Sequence, residues 1–510
     1  MPSSTAIYPI AAIRDIEQSA LAALPPGTLM QRAGRAAAAL AGTLIPASNK
    51  KAAVLILVGP GNNGGDALET AHLLAQAGMQ ICVLLCADSA RMPDDARQAF
   101  ARAQGSAVRF LTDVSDALVK SGHWDLVIDG LFGIGLTRPI SGALRSVVEA
   151  VNALTCPILS LDVPSGLDAD TGGIVGEDGV AIKATGTITF IANKAGLHTN
   201  DGRDHAGEVH LAELDIDRCH FQAATCAHLN AVESFASFSR KRPHNSHKGS
   251  FGDVIVIGGA HGMTGAAILT ARAAAKCGAG RVLAAFVDEA PAYDSMQPEL
   301  MCRRAHDMDF TSAALVAGPG MGTSRAAHDL LAKALHVRSP LVLDADALNL
   351  IASEPGLQQI LAQRTLPAII TPHPLEAARL LQVTTKEIQA DRVSAARKLA
   401  QQFGAIAVLK GSGSIIARPD GEIAINTTGN PALATAGTGD VLAGVCGALL
   451  AQAFPAWNAA LAATWLHGKA ADALVAQGIG PIGLTASELI PCIRTLLNRL
   501  TENPARVQLS

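Results

Sequence analysis

The residues best suited to chemistry lie in AGTGDVLAG (436–444). A Gly-Thr-Gly turn that opens a helix presents consecutive backbone N–H groups as an anion hole. Asp440, in the first turn, can serve beside it as a general base. Phosphoryl transfer needs this pairing, with donors for the group in transit and a base for the attacking hydroxyl. The plain alternative is a helix start whose Asp the dipole favours. KGSGS (410–414) is a second Gly/Ser-rich loop, suited to nucleotide phosphates, and Asn430-Pro431 lies just upstream of the anion hole. His373, between two prolines in TPHPLE, either contacts a substrate amide or phosphate or serves the fold. Glu376 is a candidate for placing a magnesium ion. Asp344 and Asp346 follow an apolar run, and one of them is expected to be a helix cap. His247 and Lys248, in HKGSFGD, are expected at the surface.

A second cluster lies in the first half. GPGNNGGD (59–66) joins an apolar run to a helical one. Its glycines let backbone approach a ligand, and a helix N-terminus attracts an anion. It is neither G-x-G-x-x-G nor a P-loop, and a tight turn is the bland reading. Asn62, Asn63 and Asp66 can all reach ligand atoms. Asp129, in DGLFGIGLTRP, and Asp162, in LDVPSGLDAD, each follow an apolar run, so the two can share a pocket. With Ser165 and Asn63 they offer hard oxygen ligands for a small cation. Lys194, in NKAGL, is either a phosphate partner or a solvated lysine.

The elements that position these groups follow from the apolar rhythm. In the first half, strands are predicted at Ala52–Val58, Ile81–Leu85, Leu126–Ile128, Ile158–Leu161 and Thr187–Ile191, with helices at 29–41 and from about Ala67 to Gly78. In the second, strands are predicted at Val254–Ile257, Leu315–Ala317, Leu341–Leu343, Ala368–Ile370 and Ile406–Leu409, with a helix near Ala266–Cys277. This alternation implies mainly parallel α/β sheets, whose ligands bind beyond the C-terminal strand ends. A polar break near 222–245 divides the chain into domains 1–225 and 238–510, with the boundary near residue 230.

Composition narrows the classes. A chain of 510 residues exceeds one core, and 49% hydrophobic with 16% charged residues excludes disorder. A net charge of −4 argues against nucleic acid or an anionic membrane as partner. The nine Cys show no C-x-x-C spacing, which fits a reduced cytoplasm better than zinc or disulfides. No stretch near the N-terminus reads as a signal peptide or approaches the length of a membrane helix.

LMQRAG, GNNGGDAL, DGLFGIGL, DVPSGLDADTG and TFIANKAGL, in this order, resemble the NAD(P)HX epimerases. The resemblance implies a Rossmann-like fold and a bound potassium ion. By position, Asn62, Asn63, Gly64, Gly65 and Asp66, then Gly133, Ile134, Gly135, Leu136, Thr137, Arg138 and Pro139, and Asp162, would hold the hydrated dinucleotide. Asn63, Asp129 and Ser165 would ligate potassium, and Asp162 would be catalytic. Ala67 and Gln31 stand where the family usually has Gly and Glu.

HKGSFGDVIVIGG, TGAAILTARAA, AGPGMG, LDADALN, TPHPLEAARLL, LKGSGS and GNPALATAGTGDVLAG resemble the ADP/ATP-dependent NAD(P)HX dehydratases, over nearly all of 241–495. That implies a ribokinase-like fold. Ala266, Gly320, His373 and Asp440 would contact the hydrated dinucleotide, with Asp440 catalytic. Lys410, Gly411, Ser412, Gly413, Ser414 and Gly439 would bind the nucleotide, with ADP as phosphoryl donor and magnesium as its ion. Ala432 and Ala436 replace glycines of the common pattern, and a positive φ at Ala436 would strain the hole. The expected function is repair of hydrated NADH and NADPH by a cytoplasmic homo-oligomer. Two other classes stay open: a ribokinase-like kinase of a vitamin precursor with a regulatory first half, and a pair of nucleotide sensors.

Overall fold

Continuous apolar runs, each ended by glycine or a polar residue, become the strands of two parallel sheets. The computed structural model describes residues 5–46, 49, 51–111, 123–222 and 224–502. The chain divides into two units, Met1–His228 and Leu229–Ser510.

In the first unit, β1 (Ala6–Ile7) precedes β2 (Ala53–Val58), β3 (Gln80–Leu85), β4 (Val108–Leu111), β5 (Leu126–Gly130), β6 (Ile158–Leu161), β7 (Gly186–Phe190) and β8 (Glu208–Ala212). Among the described residues, seven of these form one sheet in the order β4-β3-β2-β5-β6-β7-β8, all parallel. Val54 to Val58 are fully buried, as expected of a strand covered on both faces. The chain leaves β2 toward β3 and β4, then returns through β5 toward β8. The crevice therefore opens beyond β2 and β5, at the switch in direction. β1 pairs antiparallel with β9 (Ala227–Leu229), Ile7 opposite Ala227 and Ala6 opposite His228.

The helix expected near Ala67 begins earlier, at Asn62, and runs to Gln76. Gly64 and Gly65 are thus helical, and their purpose is space. A Cβ on Gly64 would overlap the carbonyl oxygen of Gly59, and one on Gly65 would overlap Met30. The helix N-terminus can press against the strand end only without those carbons.

In the second unit, β10 (Asp253–Gly258), β11 (Arg281–Phe286), β12 (Met301–Arg304), β13 (Ala314–Ala317), β14 (Leu341–Leu343), β15 (Ala368–Ile370), β16 (Ile406–Leu409), β17 (Ile415–Ala417) and β18 (Ile423–Ile425) run in the order β18-β17-β16-β15-β14-β13-β10-β11-β12. The strands from β16 to β12 are parallel, and β17 and β18 are antiparallel. The direction switches between β10 and β13. Alanine-rich helices Thr264–Lys276, Thr438–Ala451 and Ala456–Ala476 pack into the core beside them.

The polar stretch expected to be a bare connector does more. Val232 and Phe235 are buried in the core of the second unit. The Asn230 amide donates to Asn426 Oδ1 and to the Leu461 carbonyl, both at 2.9 Å. Two apolar residues three apart suffice to anchor a segment whose average composition is polar. No helix among the described residues is long and apolar enough to cross a membrane.

Candidate active sites

Beyond β2 and β5 lies a cavity of about 660 Å³. Asn62 and Asn63 reach it from the first turn of their helix and Asp66 from the next, Gly133 through Pro139 from the loop after β5, and Asp162 from the end of β6. Gly64 and Gly65 lie in the wall instead. Asp129 is fully buried beneath. Its Oδ1 accepts from Ser165 Oγ (2.6 Å) and Leu131 N (3.2 Å), and its Oδ2 from Ser160 Oγ (2.8 Å) and Ser165 N (2.9 Å). Burial pushes this carboxyl up, and the hydrogen bonds oppose the rise. Both polar atoms of the Asn63 amide are buried without a hydrogen-bond partner among the described residues.

Asp162 has a φ of 66°, a conformation that costs a non-glycine residue about 1–3 kcal/mol and clusters at working sites. Its Oδ2 accepts from Ile134 N at 3.1 Å, which ties down the loop after β5. A Cβ on Gly133 would lie 2.7 Å from that oxygen, so glycine is required there. Lys194 is neither solvated nor free for a phosphate. It is 1% exposed, with Nζ 2.8 Å from Asp162 Oδ1 and 2.7 Å from Thr189 Oγ1. A fully buried ammonium needs such partners, and the carboxylate at the β6 end supplies the charge. Sequence reasoning missed Arg14 and Glu17, which line the same cavity from the helix Ile10–Ala23. Their spacing with Ile13 and Leu21 marks one helix face, but nothing in the residues says what that face meets.

In the second unit, the segments after β10, β13, β15 and β16 carry Ala266, Gly320, His373 and Lys410–Ser414, and the helix Thr438–Ala451, after β18, carries Gly439 and Asp440. Ala266 and Gly320 meet at the switch: a Cβ on Gly320 would lie 3.1 Å from that of Ala266. Asp344 is the N-cap residue of the helix Ala345–Ser353, as expected of one of the two, but its side chain makes no capping hydrogen bond. Asp346 Oδ2 accepts from Gly322 N (2.8 Å), and buried Asp344 accepts through Oδ1 from Lys410 Nζ (2.7 Å) and Thr371 Oγ1 (2.8 Å). A buried ammonium demands an anion, and that demand outbids the cap. Burial pulls Lys410 down, but Asp344 and Glu376 outweigh it and hold the ammonium above its ordinary value.

Gly439 faces this pair, since a Cβ there would lie 3.3 Å from Lys410 Nζ and 3.6 Å from Asp344 Oδ2. Gly437 takes the left-handed conformation (φ 87°) and Ala436 does not, so the alanine brings no strain. Burial pushes the Asp440 carboxyl up to about 6; Asp344 adds to the rise and Lys410 opposes it. Under KGSGS, the buried Arg392 donates to the Lys410 carbonyl (3.3 Å) and holds the loop from below. His373 caps the helix Pro374–Leu381: its Nδ1 accepts from Leu375 N (3.1 Å) while Glu376 Oε2 accepts from His373 N (2.8 Å). The other ring nitrogen, Nε2, lies 3.4 Å from Glu376 Oε1. Burial pushes Glu376 up to about 7. His247 and Lys248 are exposed.

Two doubly wound units, each with its polar loops at a switch point, define a two-site nucleotide enzyme: a Rossmann-like unit followed by a ribokinase-like one. Residues 254–494 match the family model of NAD(P)H-hydrate dehydratase, and residues 26–196 that of the YjeF-related protein N-terminus. The bifunctional NAD(P)H-hydrate repair enzyme of Coxiella burnetii is 36% identical over 97% of this chain and 100% of its own. That of Escherichia coli is 36% identical over 92% and 89%. A solved ADP/ATP-dependent NAD(P)H-hydrate dehydratase from Bacillus subtilis, co-crystallized with ATP/Mg2+, is 30% identical with a TM-score of 0.46, covering 53% of this chain and 98% of that one. The chain belongs to the family of bifunctional NAD(P)H-hydrate repair enzymes, in which an epimerase half is joined to a dehydratase half.

Proposed function

We propose that the chain restores NADH and NADPH from their hydrates by two reactions at two sites. The substrate carries water on the nicotinamide ring, with a hydroxyl at C6. The first unit interconverts the R and S forms. The second phosphorylates the S hydroxyl with ADP as donor, and the ring nitrogen then expels phosphate. Asp440 takes the hydroxyl proton, and the Gly437–Gly439 amides meet charge on the transferred group. The observation that carries this is the raised Asp440 carboxyl, in the first turn of a helix whose opening turn faces the Lys410–Asp344 pair. Lys410 through Ser414 and Gly439 hold the nucleotide, and Ala266, Gly320 and His373 bound the ring.

In the first unit, Asn62, Asp66 and the loop Gly133–Pro139 bind the dinucleotide. Asp162, held by Lys194, faces the positive charge that develops on the ring as the hydroxyl leaves. Potassium fits here: the Asn63 amide offers a buried oxygen that no protein group engages among the described residues, beside Asp129 and Ser165. Such an ion would brace the loops that carry these residues. Replacing potassium by choline should slow epimerisation, and an unchanged rate removes the ion from this reading. Magnesium fits only as an ion carried by the nucleotide's phosphates, because the described residues hold no cluster of carboxylates, His or Cys that would cage it.

The test follows absorbance of the reduced nicotinamide as hydrated NADPH is incubated with the protein and ADP. Restored absorbance with phosphate release is the expected result. A stable phosphorylated product would make the second unit a simple kinase, and no change at all would make the chain a sensor.

A further inference from the structure

The helix Ile10–Ala23 is fixed over the first cavity at three points. Tyr8 N donates to the Asn193 carbonyl (3.1 Å), next to Lys194. Ile10 N donates to Asp170 Oδ1 (3.0 Å), and Arg14 Nη2 to the Ile134 carbonyl (3.3 Å) of the substrate loop. Glu17 is thereby held, half-buried, on the cavity wall. It shares that cavity with Asp66 and Asp162, each from a different element. Asp162 is occupied on both oxygens, by Lys194 Nζ on Oδ1 and Ile134 N on Oδ2. A carboxylate engaged in this way balances charge well but is a poor proton donor. Epimerisation needs a donor, because hydroxide leaves carbon badly unless it is protonated.

We propose that Glu17 is the general acid and base of the epimerase site, a role that rests on the epimerase reading above. In the forward step the C6–O bond breaks with its electron pair going to oxygen. The Glu17 carboxyl gives its proton to that oxygen, so that water leaves. The N1 lone pair forms the C6=N1 double bond. Once the planar ring has turned its other face to Glu17, a water oxygen bonds to C6 from that face, its proton passes to the Glu17 carboxylate, and the C6=N1 pair returns to nitrogen. Nothing is oxidised, and the ring is neutral before and after.

The surroundings favour a protonated Glu17. Burial holds its carboxyl above the ordinary glutamate value; Asp162 pushes the same way, while Lys194 and Arg14 oppose. Asp66 is raised more strongly, by burial first and then by Asp162, Glu17 and Glu69. Asp95 and Arg138 complete the charged lining. With Lys194 committed to Asp162, the remaining carboxyls share little positive charge. A donor whose titration is moved toward neutrality is the kind general acid catalysis uses.

The test is Glu17→Gln in the full chain with potassium present, followed as R-to-S exchange of NADPH hydrate after subtracting the spontaneous rate. We expect kcat for exchange to fall on the order of 10²–10⁴-fold with KM unchanged. Glu17→Asp, which keeps the acid on a shorter arm, should recover part of the loss. The wild-type rate should decline as pH rises through the Glu17 titration, and Glu17→Gln should lack that limb. Far-UV circular dichroism and a thermal unfolding profile that match the wild type's report that the first unit of the variant is folded, since dehydration of S-hydrate reads only the second unit. If Glu17→Gln does not fold, the shifted pH limb of Glu17→Asp carries the test. Exchange at the wild-type rate, or a defect in KM alone, overturns the role. A wild-type protein that does not accelerate exchange removes the epimerase reading itself, which is a different result.

Discussion

A base that must take a proton near neutrality gains from being hard to ionise, and burial does this for Asp440. With the carboxyl pushed up to about 6, dehydration should lose rate as pH falls through that value, because the protonated form accepts nothing. Asp440→Asn keeps the shape and removes the base. It should lower S-hydrate dehydration on the order of 10²–10⁴-fold, and its residual rate should lack the acid limb. Epimerisation should be untouched; its loss in a folded variant would argue for one shared site. The same shift has a sign in stability. A carboxyl whose folded value lies above its unfolded one binds its proton more tightly in the folded state. Stability therefore declines as pH rises from the ordinary Asp value to about 6. Asp440→Asn removes that loss, so its thermal transition should lie above the wild type's at neutral pH. An equal or lower transition would mean that the buried charge is better compensated than its surroundings indicate. At this scale the positions of Asp440 and Asp162 could be read from sequence, Asp440 from the Gly-Thr-Gly turn that opens its helix and Asp162 from the apolar run that it ends. The partners of Lys194 and Asp344 could not. Whether a lysine is solvated or buried depends on which acid the fold brings to it, and Asp344 and Lys410 are 66 residues apart.

At the scale of elements, short apolar runs with a polar or glycine-rich stop told the most. Ile158–Leu161, Leu341–Leu343, Ala368–Ile370 and Ile406–Leu409 are strands with the bounds the sequence predicts. Edge strands such as Met301–Arg304 and Glu208–Ala212 carry polar residues on the open side and give no comparable run. The start of the helix at Asn62 was hidden for another reason. Glycine pairs read as turns, yet here they are the close-packed first turn of a helix. This distinction is testable. Gly64→Ala places a methyl against the Gly59 backbone, where nothing flexible can yield, and should destabilise by about 1–3 kcal/mol. Gly61→Ala, with φ −102° and no heavy atom within 4 Å of the added carbon, should leave the thermal transition nearly unchanged. Equal transitions for the two variants would show that the helix can shift away from the strand end.

At the scale of the molecule, two chemistries in one chain raise the question of where it can be cut. The polar composition of 222–245 invites a cut within it, with the second fragment starting at 238. The structure argues for an earlier one, between His228 and Leu229. Residues 1–228 keep the β1–β9 pairing through Ala227 and His228. Residues 229–510 keep Asn230, whose amide joins Asn426 to Leu461, and the buried Val232 and Phe235. Starting at 238 discards both apolar anchors. Burying a Val or Phe side chain is worth roughly 1.5–3 kcal/mol, so their joint loss is a large share of a marginal domain stability. The fragment 229–510 should therefore unfold at a clearly higher temperature than 238–510, and it alone should dehydrate S-hydrate. Mixed with 1–228, it should repair racemic hydrate completely, because the substrate diffuses between separate proteins. If both fragments fold and the mixture still repairs only the S form, the first site needs the covalent link, and independence of the two reactions fails.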